Sequence, residues 1–169
     1  MKIQPIIITG MHRSGTSVLS KILIENNAFP SDYYAVQSQL KFHGNHPTED
    51  LIIIKPNDSL IITTDLIENY FEKFGEEISM VLIGGVNYYS GQAFNMKAIT
   101  RKAHEYGCLV GFDLAHATGN LILSLHDWDV DFATWCGYKY LNGGPGAPSG
   151  VFIHERHLGK TDIPRLEGW

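Results

Sequence analysis

Six short apolar runs recur along the chain, and most of the stretches between them carry helical periodicity. The runs are residues 6–9 (IIIT), 51–54 (LIII), 81–83 (VLI), 108–112 (CLVGF), 132–135 (FATW) and 151–154 (VFIH). Each is too short for a core helix and most are β-branched, so each reads as a strand. Residues 17–25 instead set Val18, Leu19, Ile22, Leu23 and Ile24 on a helical stripe. Pro30-Ser31-Asp32 breaks that helix and caps the next, which starts near Tyr33. A further helix opens at Thr64-Asp65 and runs to Phe74, with Asp65 and Glu68 at capping-box spacing. Another spans residues 97–106 and stops at Gly107. This alternation, with no internal repeat, predicts an α/β fold around a mostly parallel sheet. Ligands of such sheets sit beyond the carboxyl ends of the strands. Three segments meet that condition: residues 10–17, 113–116 and 138–142.

Composition narrows the function classes. The chain has 169 residues, 44% hydrophobic and 18% charged, enough apolar surface for one folded domain and too much for extended disorder. Thirteen Lys and Arg against 18 Asp and Glu give a net charge of -5, which argues against a nucleic-acid surface. No apolar segment approaches membrane-spanning length, so no membrane partner is expected. Cys108 and Cys136 lie in apolar runs and read as buried, reduced thiols, consistent with a cytoplasmic protein. His43, His46, His126 beside Asp127, His154 and His157 lack further ligands at a fixed spacing, so they read as solvated loop histidines rather than a metal site. Glu68, Glu72, Glu76 and Glu77 read as a solvated helix flank.

The chemistry concentrates in two segments. FDLAHATGN puts Asp113 just past an apolar strand, with His116 three residues on. GYKYLNGGPGAPSG sets Lys139 between Tyr138 and Tyr140, ahead of a glycine-rich loop. A lysine kept partly desolvated can form a Schiff base, and a buried carboxylate is the partner that a protonated pyridine nitrogen requires. Upstream, AFPSD supplies Phe29 for ring stacking and Asp32 as a polar neighbour. Singly, each has a plain alternative: Asp113 capping a turn, His116 in the core, Lys139 on the surface, the aromatic residues in packing. Their joint order is what carries weight.

From about Lys21 to Trp169 the sequence resembles kynureninase, a pyridoxal-phosphate enzyme family of the aspartate-aminotransferase fold. The matching stretches are AFPSDYYAVQSQLKFHG, GGVNYYSGQAFNM, GCLVGFDLAHATGN, LHDWDVDFATWCGYKYLNGGPG and LEGW. The resemblance implies a three-layer fragment of the large domain of a fold-type I pyridoxal-phosphate enzyme. It implies that Lys139 is the Schiff-base lysine, that Asp113 pairs with the pyridine nitrogen, and that Phe29 stacks on the ring with Pro30, Ser31 and Asp32 beside it. His116 would lie next to the cofactor, and Tyr138 would reach its phosphate and serve in proton transfer. Gly84 stands where the family often has Ser, so one hydroxyl contact is absent. Trp169 matches a tryptophan that approaches the neighbouring subunit's cofactor in the family homodimer. The implied reaction is hydrolysis of L-kynurenine, or 3-hydroxykynurenine, to anthranilate or its 3-hydroxy form and L-alanine. That step belongs to tryptophan catabolism on the kynurenine route toward NAD. The family's phosphate-binding loop is not found ahead of AFPSD, nor its small C-terminal domain, so the chain reads as truncated and weakly active or inactive alone.

Residues 5–23, PIIITGMHRSGTSVLSKIL, follow another pattern. A strand, a glycine turn and a hydroxyl-bearing helix start form a phosphate cradle, with Arg13 adding charge. The lysine of a Walker A motif is absent. GMHRSGTS resembles the 5′-phosphosulfate loop of sulfotransferases, in which Arg13, Ser14, Gly15, Thr16 and Ser17 would hold the ligand. Residues 1–20 thus read as a foreign segment joined near Ser20-Lys21 to a kynureninase-like body over residues 21–169. A phosphosulfate-binding fragment and a non-enzymatic fragment are the alternatives.

Overall fold

The computed structural model describes residues 21–57 and 59–158. The strand read over residues 6–9, the phosphosulfate-like loop over residues 10–17 and Trp169 lie outside the described residues. The elements are β1 (Lys21–Glu25), α1 (Pro30–Phe42), α2 (Pro47–Asp50), β2 (Leu51–Ile54), α3 (Thr64–Phe74), β3 (Ile78–Gly84), α4 (Met96–Glu105), β4 (Leu109–Asp113), β5 (Phe132–Trp135) and β6 (Gly150–Ile153). The strands form one sheet in the order β2-β1-β3-β4-β5-β6. Every neighbouring pair is parallel except β5 with β6, which is antiparallel.

β1 overturns the helical reading of residues 17–25 across its last five positions. The strand lies between β2 and β3 and is covered on both faces, so Ile22, Leu23 and Ile24 are all buried. A strand buried on both faces shows a continuous apolar run without alternation, and periodicity alone cannot tell such a run from a helix.

Alternation along the strands divides the apolar side chains between two layers. Ile22 and Ile24 of β1, with Met80 and Leu82 of β3, pack with Val36 and Leu40 of α1. Leu23, Val81, Ile83, Val110, Phe112 and Ala133 point the other way and pack with Ile67 and Phe71 of α3 and Ile99 and Ala103 of α4. Three layers result, with the larger core under α3 and α4. Each fully buried Leu or Phe there contributes about 1.5–3 kcal/mol relative to exposure.

One helix start and one helix cap differ from expectation. α1 begins at Pro30, not near Tyr33, with Phe29 as its N-cap. Pro30 at the first helical position loses no hydrogen bond, because that N–H would be unpaired anyway. Asp32 therefore lies in the first turn of the helix, at the positive end of its dipole. α3 is capped by Thr63, whose side chain accepts from Leu66 N–H at 3.2 Å, so the Asp65–Glu68 box is not used. Cys108 is buried as expected, whereas Cys136 is only half-buried. No described helix is long and apolar enough to cross a membrane.

Candidate active site

The parallel arrangement brings the carboxyl ends of β1, β3 and β4 side by side. Glu25 ends β1, Gly84 ends β3 and Asp113 ends β4. Gly84 and Asp113 are register partners, and Gly84 N–H donates to Glu25 Oε1 at 3.1 Å. Asp113 Oδ1 accepts from Ala115 N–H at 2.8 Å, which tightens the turn carrying His116. Beyond β5 the chain folds back on itself, with Asn142 N–H to Lys139 O and Gly143 N–H to Gly137 O, both at 3.0 Å.

One glycine makes the next contact possible. Gly119 has φ +82°, and a Cβ there would lie 2.8 Å from the Tyr140 carbonyl oxygen. Only glycine allows both the conformation and the close backbone approach. The His116 turn consequently lies against the Lys139 segment. Lys139 Nζ is 3.2 Å from His116 Nε2 and 5.4 Å from the centroid of the Phe29 ring. Phe29 is itself held edge-on against Tyr88, with centroids 5.2 Å apart.

The electrostatics are dominated by acids. Burial first, then the charge of Asp113, pushes the Asp32 carboxyl up to about 8. At neutral pH Asp32 keeps its proton and donates it toward Asp113. Burial also raises Glu25 to about 6, against the opposing effect of hydrogen bonds from Gly84 N–H and the Asn87 amide. Desolvation, reinforced by the charge of Lys139, lowers His116, so its imidazole is neutral at neutral pH. The Cys136 thiol beside Tyr138 raises the phenol above its ordinary value.

The structure thus gathers Phe29, Asp32, Gly84, Asp113, His116 and Lys139 at one end of the sheet. Pro30 and Ser31 share the first turn of α1, and the Ser31 side chain hydrogen-bonds Asp32. Tyr138 is on the rim, 55% exposed. Two residues escaped the sequence reading, Glu25 and Asn87, and Cys136 was read only as a buried thiol. Glu25 carried the same signal as Asp113, an acid ending an apolar strand, but that signal is invisible when β1 is read as helix.

The other end of the sheet holds a second charged cluster. Asp131, 3% exposed, accepts from Val110 N–H at 2.7 Å and from the Arg156 guanidinium at 2.7 Å. His104 Nε2 and His157 Nε2 lie 2.8 and 2.6 Å from its oxygens. Hydrogen bonds from His104, Arg156, Val110 and His157 outweigh burial and hold Asp131 well below the ordinary carboxylate range. His154 is buried and His157 partly so, which corrects their reading as solvated loop histidines. Among the described residues no group of three or more His, Cys, Asp or Glu side chains is arranged to hold a metal.

Comparison with known proteins agrees with this architecture. The chain is 56% identical over 151 residues to the kynureninase of Myxococcus xanthus, covering 88% of this chain and 35% of that protein. It is 52% identical over 150 residues to the kynureninase of Nematostella vectensis, covering 88% and 32%. The chain therefore spans about a third of the length of the curated relatives it matches. Among solved structures, the cystine C–S lyase C-DES with its product cysteine persulfide superposes with a TM-score of 0.70 at 20% identity, over 83% of this chain and 36% of that one. The alanine–glyoxylate aminotransferase of a Nostoc species gives 0.67 at 17% identity, over 88% and 37%. The sequence profile of the aminotransferase class-V family matches residues 8–165. With that match spanning most of its length and the fold shared, the chain belongs to the aminotransferase class-V family.

Proposed function

We propose that this chain carries the pyridoxal-phosphate site of a kynureninase-type enzyme, which hydrolyses L-kynurenine to anthranilate and L-alanine. The observation that carries the reading is the placement of Lys139 Nζ, 3.2 Å from His116 and over the Phe29 ring, in a site whose other wall is the Asp32–Asp113 carboxyl pair.

The donor set suits the cofactor. Two carboxyls that share a proton leave an excess of negative charge, which a protonated pyridine nitrogen would relieve. When bound, pyridoxal phosphate supplies the electron sink that a carbon–carbon cleavage requires. Asp113 would accept from the ring nitrogen, with Asp32 donating to Asp113 and holding it in place. Phe29 would cover one ring face, and the turn at Pro30 and Ser31 fixes where that face lies. Lys139 would provide the reactive amine and move protons. The neutral imidazole of His116 can accept a hydrogen bond from that amine. The Tyr138 phenol, raised by its neighbour, keeps its proton at neutral pH and can donate to a phosphate or a reacting carbon. Gly84 offers no hydroxyl.

Trp169 would complete the site across a homodimer, as the family resemblance implies. The half-buried thiol of Cys136 suits a reducing, cytoplasmic setting. The phosphosulfate alternative rests on residues 10–17, outside the described residues, and no described side chain supports it.

The test is to incubate the chain with pyridoxal phosphate and L-kynurenine and measure anthranilate fluorescence. A slow release of anthranilate that Lys139→Ala abolishes supports the reading. Release that Lys139→Ala leaves intact would sink it.

A further inference from the structure

Phe29 is 39% exposed, too open for core packing alone to fix its ring in one rotamer. Tyr88 supplies the contact that the core does not. Its ring stands at 86° to Phe29 with centroids 5.2 Å apart, the edge-to-face arrangement that aromatic quadrupoles favour. Tyr88 is itself 43% exposed, so its own place depends on the backbone that carries it.

That backbone is held by Asn87, which is 4% exposed. Asn87 Oδ1 accepts from Tyr89 N–H at 3.1 Å, Ser90 N–H at 3.0 Å and the Ser90 hydroxyl at 3.1 Å. Its main-chain N–H donates to Gln92 O and its carbonyl accepts from Gly91 N–H, both at 2.9 Å. Asn87 Nδ2 reaches the other way, donating to Asn26 O at 3.4 Å and Asn27 O at 3.1 Å. Those carbonyls belong to the turn from β1 into α1. Ala28 N–H closes that turn on Glu25 O at 3.2 Å, and Asn27 takes φ +53°, a left-handed conformation that asparagine tolerates better than most side chains. Phe29 follows two residues later. One amide therefore grips the chain just ahead of Phe29 and the loop around Tyr88, using donors for the first and an acceptor for the second. The two rings are carried by backbones that are tied to each other.

We propose that Tyr88 is a positioning residue of the site: anchored through Asn87, its ring holds Phe29 in the single orientation that Lys139 Nζ overlies. A ring held before a planar ligand arrives spares the ordering cost that a mobile ring adds to binding. That the held ring covers a pyridine face rests on the function proposed above; that Tyr88 holds it does not.

The test compares Tyr88→Leu and Tyr88→Phe with wild type in the full chain. Without cofactor, three-bond NMR couplings across χ1 of Phe29 read whether the ring keeps one rotamer. With pyridoxal phosphate, absorbance and visible circular dichroism read the apparent dissociation constant and the asymmetry of the site. Wild type and Tyr88→Phe are expected to show one Phe29 rotamer. Tyr88→Leu is expected to show averaged couplings, a dissociation constant raised roughly 2–10-fold and a weaker visible signal. A Tyr88→Leu chain that keeps one Phe29 rotamer overturns the proposal, even if its Tm falls, because Tyr88 is then a structural contact only. Failure of Tyr88→Phe to restore the rotamer overturns it too, since the ring and not the hydroxyl is the proposed agent. Should Tyr88→Leu not fold, wild type decides alone: averaged Phe29 couplings there overturn the proposal. If pyridoxal phosphate does not attach to Lys139 in wild type, the proposed function fails, and the cofactor-free couplings still decide the role of Tyr88.

Discussion

Asp32 keeps a proton where an ordinary aspartate has lost it, because burial and Asp113 together oppose a second negative charge. The folded state holds that proton up to about pH 8, whereas the unfolded chain releases it near 3.8. Across that window the native state binds more protons than the unfolded one, so this group lowers stability as the pH rises. Asp32→Asn removes the effect. Thermal unfolding of the cofactor-free protein should show a higher Tm for Asp32→Asn than for wild type at pH 8, and little difference at pH 4. Matching Tm values at pH 8 would contradict the assignment. Much of the site at this scale was legible in the sequence. Asp113, Phe29 and Lys139 each adjoin a local signal: a strand end, a proline that opens a helix, a glycine-rich loop. Asn87 adjoins none, since an asparagine that gathers backbone groups from two loops reveals itself only once those loops meet.

At the scale of elements, short strands were read well where turn residues bound them and poorly where they did not. β2, β4 and β5 have Pro, Gly or Asp at their edges. β1 follows a hydroxyl- and apolar-rich stretch with no break, and its burial on both faces erased the alternation that marks a strand. The α1 start was misplaced by three residues and the α3 cap by two, while the α3 start at Thr64 was read correctly, because several residues near a helix start can cap and only one does. Thr63→Ala should therefore cost about 1 kcal/mol in urea unfolding. Asp65→Ala should cost less, because the Asp65 side chain makes no cap bond. The junction of the His116 turn with the Lys139 segment depends on Gly119. Gly119→Ala demands a left-handed alanine and pushes on the Tyr140 carbonyl. It should reduce pyridoxal-phosphate attachment at Lys139 several-fold, by mass spectrometry, while the far-ultraviolet circular dichroism keeps its wild-type shape. Undiminished attachment would show that this contact does not position the lysine.

Across the whole molecule, charge is separated by the sheet. The carboxyl ends of the strands gather Glu25, Asp32 and Asp113 at the end of the sheet where Lys139 meets His116, while the amino ends enclose Asp131 within two imidazoles and a guanidinium. The second arrangement is paired and holds the 3₁₀ turn Glu155–His157 against the sheet; the first is unbalanced. Asp131→Asn weakens the buried acceptor of Val110 N–H, His104, Arg156 and His157, while Arg156 keeps its pair with Asp129, and should cost about 1–3 kcal/mol in urea unfolding. An imbalance of negative charge beside a lysine and an aromatic face is the setting into which a cationic ring fits, and that is the central claim. It is tested most directly by mixing the chain with pyridoxal phosphate, reducing with borohydride and mapping the product by mass spectrometry, with Lys139→Ala as control. A single modified residue, Lys139, absent from the control, is the expected result. Modification scattered over surface lysines, or unchanged in Lys139→Ala, would contradict the account.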